Sequence, residues 1–479
     1  MSSAPGDRMN DLIVVSDLHL GRGRNAETGR FHALEAFFFD DDFAGFCRHL
    51  VADAQAREMP FTLVLAGDVL DLLRIEPEKA PPGARAAERR YGPPITPAYA
   101  ATLAGHVVAG HPRFFAALAQ VLAAGNDVVL LPGNHDVELQ WAPVQEVIRR
   151  AVGGDTSRLR FAPWFYFEPG RIWIEHGCQY DPDGAFEYPL RGPLGRRPDF
   201  AGAERDLPLG NFFQHYLFNG FGALASIVPT TSANGSYLRW LALHRPRFLA
   251  RVLADHLPFL RQLIRRWARS PAGSSELADV HRSELARISV ESGLDSRLLA
   301  VDALKAKRPD IVHAVQGASR RLLEVGIGGA LVVLAALTLW MASLQAIDDL
   351  AFGLGMKALL YLLLNLIVAV GAATLMVSWL LRGPGRDQAP AMPIAARRIA
   401  ELLDVPLVCF GHSHEESIVR LERGWYFNTG TWIGVFMHDA LLPRERVQLT
   451  FLRVRETSGE LLYWSSARGE ALPAILLDE

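Results

Sequence analysis

The chain is short of the residues that would cross-link it or export it. Its 479 residues include three cysteines, Cys47, Cys178 and Cys409, far apart and never in a CxxC pair. So sparse and odd a count argues against a disulfide framework and fits a reducing compartment. Lysine is nearly missing as well: of 49 basic residues only Lys79, Lys305, Lys307 and Lys357 are not arginine. Charge of one sign is lacking, since 52 acidic residues leave a formal net charge of −3. That balance gives no global case for binding a polyanion, and nucleic acid is not an expected partner. The opening MSSAPGDRMND carries no basic-then-apolar leader, and neither an internal repeat nor a low-complexity tract follows it. The catalytic part is therefore expected in the cytoplasm.

What is present is an alternation of short apolar runs with amphipathic stretches, the pattern of an α/β domain. Strands are predicted at Leu12–Ser16, Thr62–Ala66, Asp127–Leu131 and Arg171–Glu175, with helical patterns at Phe31–Ala56 and Arg113–Ala124. Gly125-Asn126 stops the second helix. The Pro-rich stretch Glu76–Ala98 reads as a long loop. From about Gln179 the character changes. Phe186–Arg269 is rich in arginine and aromatics, Arg247–Arg269 reads as a basic amphipathic helix, and Ser270–Arg308 as polar helix. Strand patterns return at Val405–Phe410, with strand and turn at Ser417–Phe427 and a hairpin of Val447–Val454 with Leu461–Ser466.

Between these regions stand two runs without a charged residue, Val325–Leu344 and Ala358–Leu381. Each has the roughly 20 residues needed to cross a hydrocarbon core. The short connector Gln345–Lys357 makes them an antiparallel hairpin. Basic residues flank both outer ends (Lys305, Lys307, Arg308, Arg320 and Arg321; then Arg382, Arg386, Arg397 and Arg398), which places both ends in the cytoplasm. The expected organisation is thus a discontinuous catalytic domain, 1–178 and 404–479, holding a helical cap or insertion at 179–324. A transmembrane hairpin at 325–381 and a return linker or helix at 382–403 complete it. The protein is expected at a membrane, the inner membrane if bacterial.

Five polar segments each follow an apolar, strand-like run: Ser16-Asp17-Leu18-His19, Gly67-Asp68-Val69-Leu70-Asp71, Gly133-Asn134-His135-Asp136, Glu175-His176-Gly177 and Gly411-His412-Ser413-His414. Ligands gather at the carboxyl ends of strands in open α/β sheets, so the five segments would converge on one site. Asp17/His19 and His412/His414 are spaced i, i+2, which in extended backbone puts both side chains on one face. Imidazole, carboxylate and one amide oxygen together suit Mn, Fe or Zn better than Mg or Ca. Seven candidate ligands (Asp17, His19, Asp68, Asn134, His176, His412 and His414) are too many for one tetrahedral ion and natural for two ions sharing a carboxylate.

This ordered set, DxH, GDxxD, GNHD, H and GHxH, resembles the signature of the calcineurin-like metallophosphoesterases, over roughly 11–178 and 404–466. The resemblance implies two packed mixed β-sheets flanked by helices, with two divalent metals at one edge, manganese foremost and iron or zinc as alternatives. It implies that Asp17, His19 and His414 hold one metal, that Asn134, His176 and His412 hold the other, and that Asp68 bridges. A metal-bridging hydroxide would attack phosphorus, His135 would stabilise the transition state or protonate the leaving oxygen, and Asp136 would orient its ring. Asp71 would stand behind the ligands, and Asn428-Thr429-Gly430 would support the site. His32, His49, His106, His111 and His215 show no partner pattern and read as ordinary.

The DLHL opening and the HGCQYDP segment resemble the bacterial branch that cleaves the pyrophosphate of UDP-diacylglucosamine, although that group has GNRD where this chain has His135. The expected activity is hydrolysis of a phosphoester or pyrophosphate bond, in a lipid-linked or amphiphilic substrate. Alternatives are a cyclic-nucleotide phosphodiesterase or nuclease of the same fold, and a catalytically inactive membrane scaffold.

Overall fold

The computed structural model describes residues 9–76, 86–190, 194–195, 204–220, 241, 244–267, 275–307, 334–335, 337–381, 391–434 and 447–476. The chain divides into two units, Met1–Arg308 with Asp387–Glu479, and Pro309–Arg386.

The strands of the first unit read as nearly unbroken apolar runs because both of their faces are covered. Strands β1 (Asp11–Val15), β2 (Phe61–Ala66), β3 (Asp127–Leu131) and β4 (Leu159–Phe161) pair in parallel, in that order. On the other side of β1, β12 (Leu449–Arg455), β13 (Ser458–Ser465) and β14 (Glu470–Pro473) extend the sheet antiparallel to seven strands. A second sheet of five strands joins β5 (Phe165–Glu168), β6 (Ile172–Glu175), β9 (Leu407–Phe410), β10 (Glu416–Leu421) and β11 (Gly424–Thr429) in the order β10-β11-β9-β6-β5. Its inner three strands are parallel and its two edges antiparallel. A two-residue ribbon pairs β7 (Leu194–Gly195) with β8 (Glu204–Arg205).

Period-two alternation sorts each strand between two cores. Leu12, Val14, Val64, Ala66, Val129 and Leu131 meet Ile172, Ile174, Leu407 and Cys409 between the sheets. The alternate residues Ile13, Val15, Leu63, Leu65, Val128 and Leu130 face Phe43, Phe46, Leu103, Phe114, Leu118 and Ile148. Those side chains come from helices Asp40–Arg57, Pro97–Gly110, Pro112–Ala123 and Ala142–Val152. Beyond the second sheet, Trp173, Val408, Phe410 and Tyr426 pack on Leu285, Leu298, Ala396 and Ile399. The architecture is therefore helix, sheet, sheet, helix, as the two-sheet expectation required.

Three local expectations change. The helix predicted from Phe31 begins at Asp40. Glu35, buried, accepts backbone N–H groups of Gly21, Gly23, Ala36 and Phe37, and that network keeps 35–39 out of helix after the turn at 33–34. The Pro-rich stretch is not wholly loop: Ala86–Tyr91 is helical, and Thr96 caps a helix starting at Pro97 by accepting the N–H of Tyr99 at 3.3 Å. Residues 77–85 of that stretch lie outside the described residues. The basic amphipathic pattern forms helix Pro246–Trp267, and the polar one forms Ser275–Ser292 and Ser296–Asp302.

In the second unit, Leu354–Leu381 is a helix of 28 residues. Much of the run Val325–Leu344 and the side chains of 369 and 372–381 lie outside the described residues. No helix among the described residues is long and apolar enough to cross a membrane. Many of the apolar side chains that are described stand exposed, among them Leu339, Leu354, Leu362 and Ile367. The polar ones pair with each other: Trp340 Nε1–H donates to Asn365 Oδ1 at 3.0 Å, and Tyr361 O–H donates to Asp348.

Candidate metal centre

Strands β1, β2, β3, β6 and β9 all run the same way to a common edge, and each hands its chain to one polar segment there. Ladder pairs Val15↔Leu65 and Ala66↔Leu131 bring the first three ends level. Past those ends the backbone is not extended. Asp17, His19, Asp68, His412 and His414 all have positive φ, between 50° and 66°. The i, i+2 pairs therefore converge through left-handed turns, which correct the expected strand alternation. Such a conformation costs a non-glycine residue on the order of 1 kcal/mol or more, so cross-strand bonds must over-determine it. The N–H of Asp17 donates to Gly67 O at 3.1 Å, that of His19 to Asp68 O at 2.8 Å, and that of His412 to Asp17 Oδ2 at 2.9 Å. Glycine is required where two turns touch: a Cβ on Gly133 would strike Asp68, and one on Gly411 would strike Ser16 and Asp17.

The turns gather metal-capable groups in overlapping sets: Asp17, His19 and His414; Asp68, His176 and His412; and His19, Asp68 and His135. His19 Nε2 lies 3.0 Å from His414 Nε2, and Asp17 Oδ1 lies 3.2 Å from the latter. Ligand bonds of about 2.1 Å give ligand–ligand edges of about 3.0 to 3.4 Å around one ion, so this spacing fits. Asp68 Oδ2 faces both sides, 3.2 Å from His176 Nε2 and 3.7 Å from His19 Nε2. Asn134 enters from the next strand end, and the N–H of His135 donates to Asp68 Oδ1 at 2.8 Å. Asp17 Oδ1, Asp68 Oδ2, Asn134 Oδ1 and His176 Nε2 are buried and make no hydrogen bond. Orphaned polar atoms on that scale are costly unless something else satisfies them, and divalent cations suit the donors present.

The outer atoms of the ligand rings are held as metal-binding histidines require. His19 Nδ1–H donates to Asp71 Oδ2 at 3.2 Å, His176 Nδ1–H to Ala66 O at 3.0 Å, and His412 Nε2–H to Asp181 Oδ2 at 2.9 Å. Asn134 donates through Nδ2 to Asn211 Oδ1 at 2.9 Å, which aims its carbonyl oxygen as the ligand atom. Burial pushes Asp17 and Asp68 towards the neutral acid, but the adjoining histidines outweigh it and keep both ionised. For His176, burial opposes the charge, yet Asp68 and Asp17 raise its pKa to about 10. The ring supplies a positive charge where the carboxylates demand one, the charge a bound cation would replace.

Two expected roles change hands. Asp136 does not orient His135: its carboxylate accepts the backbone N–H groups of Gly133, Asp68, Val69 and Leu70, clamping one metal turn onto the other. Burial and then Asp68 push its pKa up to about 7. The orienting carboxylate is Asp71, whose Oδ1 accepts from His135 Nδ1–H at 3.0 Å while Oδ2 holds His19. Burial would raise Asp71, but His135 and His19 outweigh it and hold it below the usual carboxylate range. The Asn428-Thr429-Gly430 turn meets the site from outside. Asn428 Nδ2–H donates to Gly411 O at 2.6 Å, and Thr429 Oγ1 lies 2.7 Å from Ser16 Oγ.

Asp181 and Asn211 escaped the sequence reading. Asp181 stands within the HGCQYDP segment, so its presence was visible and its use was not. Asn211, in helix Leu209–Tyr216, is 77 positions from Asn134 and carries no local signal. Among the described residues Cys178 belongs to none of the metal-capable groups. His111, read as ordinary, is buried and bonded to Asp40 and Glu35.

No protein-family model matches the chain, and no curated protein sequence matches it. Among solved structures, a dimetal phosphatase from Danio rerio is similar over 96% of this chain and 100% of that one, at 11% identity and a TM-score of 0.28. So slight a likeness says nothing about the reaction, and the chemistry rests on the residues themselves.

Proposed function

We propose that this chain is a two-metal phosphoesterase that hydrolyses a phosphoester or pyrophosphate bond of a lipid-linked or amphiphilic substrate, anchored by a membrane hairpin. One observation carries the chemistry: buried ligand atoms from four strand ends, Asp17 Oδ1, Asp68 Oδ2, Asn134 Oδ1 and His176 Nε2, go without hydrogen-bond partners beside His19, His412 and His414. Asp17, His19 and His414 would hold one cation and Asn134, His176 and His412 the other, with Asp68 between them. Two such ions, when bound, polarise a phosphoryl group and bring the pKa of water towards neutrality.

The chain's own residues do the rest. Asp71 accepts the hydrogen bond of His135 Nδ1–H, so Nε2 is the atom that would offer a proton to a departing oxygen. Burial disfavours a charged ring there, but Asp71 and Asp68 outweigh it and raise the pKa of His135, which suits a general acid. Asp136 holds the turns and moves no proton.

The anchor is supported by the uncharged stretch Ala358–Leu381 within a 28-residue helix, and by apolar side chains as exposed as Leu354 at 90% and Leu362 at 68%. Surface of that kind is costly in water and favourable in hydrocarbon. An anchored enzyme meets amphiphilic substrates at the bilayer, and this motivates the substrate class.

The test is hydrolysis by detergent-purified protein with Mn²⁺ on a phosphomonoester, a phosphodiester and UDP-diacylglucosamine, with Asp68→Asn as control. Turnover that disappears in the control supports two-metal hydrolysis. Equal rates on soluble and lipid substrates in matched detergent would remove the amphiphilic part, and failure to bind metal would remove the whole.

A further inference from the structure

The segment that carries Asn211 over the metal turns also carries an arginine with half of its binding capacity unused. Arg205, in β8, is as buried as the metal ligands, and its Nη1–H donates to Glu138 Oε1. Glu138 lies in the 3₁₀ turn Val137–Gln140, three residues beyond His135. The pair therefore clasps the same two stretches of chain that Asn134 and Asn211 clasp. Arg205 Nε and Nη2 are both buried and make no hydrogen bond, and neither does Glu138 Oε2. These two nitrogens carry the parallel N–H bonds along one edge of the guanidinium, the edge that takes two oxygens of one phosphate or carboxylate. Leaving both donors unmet in a dry interior is costly. Glu138, by holding the third nitrogen, fixes the direction in which that edge points.

We propose that the Nε/Nη2 edge of Arg205 binds two phosphoryl oxygens of the substrate, making Arg205 a phosphate-binding residue of this site and Glu138 its positioning residue. The assignment deepens the phosphoesterase reading and rests on it for the identity of the ligand. A substrate held there by a phosphoryl group is gripped from the inserted segment while the strand-end turns hold the cations. Recognition is then divided between two parts of the chain.

Titration calorimetry of inorganic phosphate into the Mn²⁺-loaded full chain tests it, with acetate as a carboxylate control and metal content measured on every sample. Arg205→Lys keeps the charge but loses the paired donors, and is expected to weaken phosphate binding by about tenfold or more with metal content unchanged. Because a lysine at that position would leave Glu138 poorly matched, the double variant Glu138→Gln with Arg205→Gln removes both charges at nearly constant shape, and the same loss is expected. Unchanged phosphate affinity in a folded, metal-loaded variant overturns the inference, since a buried water would then be what satisfies the edge, and it leaves the two-metal reading standing. Acetate binding as tight as phosphate would equally overturn the phosphoryl assignment. A chain that takes up no metal from Mn²⁺ and still binds phosphate through Arg205 would instead sink the two-metal reading and keep the arginine site.

Discussion

The two units of this chain use polar and apolar groups in opposite ways. In the first, apolar residues fill cores on both faces of each sheet, and charged groups are driven inward to one edge, where Asp17, Asp68, His176 and His412 are almost fully buried. In the second, many of the described apolar side chains are exposed, and polar ones pair locally, Trp340 with Asn365 and Tyr361 with Asp348. Buried charge is tolerable in the first unit because carboxylates, imidazoles and backbone amides compensate one another. If the proposed hairpin anchors the chain, the exposed hydrocarbon of the second unit would meet lipid instead of water, where its exposure costs little.

The contrast is most exposed to refutation at Asp68, whose Oδ2 faces both ligand groups. Asp68→Asn removes the charge between them, and turnover is expected to fall on the order of a thousandfold, by rate measurement at saturating Mn²⁺. Activity within tenfold of the unaltered chain would mean that the buried carboxylate cluster is structural. Next come the residues that aim ligands without touching metal. Asp181→Asn and Asn211→Ala should each weaken metal binding by about 10- to 100-fold, read by competition with a chelator, while the fold is retained. Undiminished affinity in both would show that the ligands are set by their turns alone.

A third test concerns the stability of the first unit away from the metals. Burial would lower the pKa of His111, but the hydrogen bonds its ring donates to Asp40 and Glu35 outweigh it and lift it to about 9. The folded value lies above the unfolded 6.5, so its contribution is complete below pH ~6.5 and is lost as pH rises towards 9, by roughly 3 kcal/mol. Glu35, whose folded pKa is lowered, contributes in the opposite sense and loses its share in acid. Denaturant unfolding across that range should show the alkaline loss, and His111→Gln should flatten it. The smallest effect is expected in the second unit. Asn365→Leu removes the bond to Trp340 and should cost about 0.6 kcal/mol in detergent unfolding if hydrocarbon surrounds the pair. A gain in stability would place that bond in a solvent that competes for it.

Much of this was legible because strand signals and ligand segments are local. Asp127–Leu131 is a strand as predicted, and every metal-capable group consists of residues read from the five polar segments. What was not legible is carried by partners remote in sequence. Nothing near His135 says that Asp71, 64 positions earlier, will hold its ring, and the adjacent Asp136 invited the wrong pairing. Nothing near Glu35 announces a turn that delays the following helix to Asp40, because the amides it binds include those of Gly21 and Gly23.

Residue order alone was enough for the alternation of strands and helices, the seven candidate ligands and the two uncharged runs, since composition and spacing of neighbours suffice for each. The left-handed turns at Asp17, His19, Asp68, His412 and His414 came only with the folded arrangement, as did the exchange of roles between Asp71 and Asp136. So did the reach of Asn211 to Asn134 and of Arg205 to Glu138. Those depend on which loops the two sheets bring into contact, and a residue held by a distant backbone takes a conformation that its own neighbours would never select.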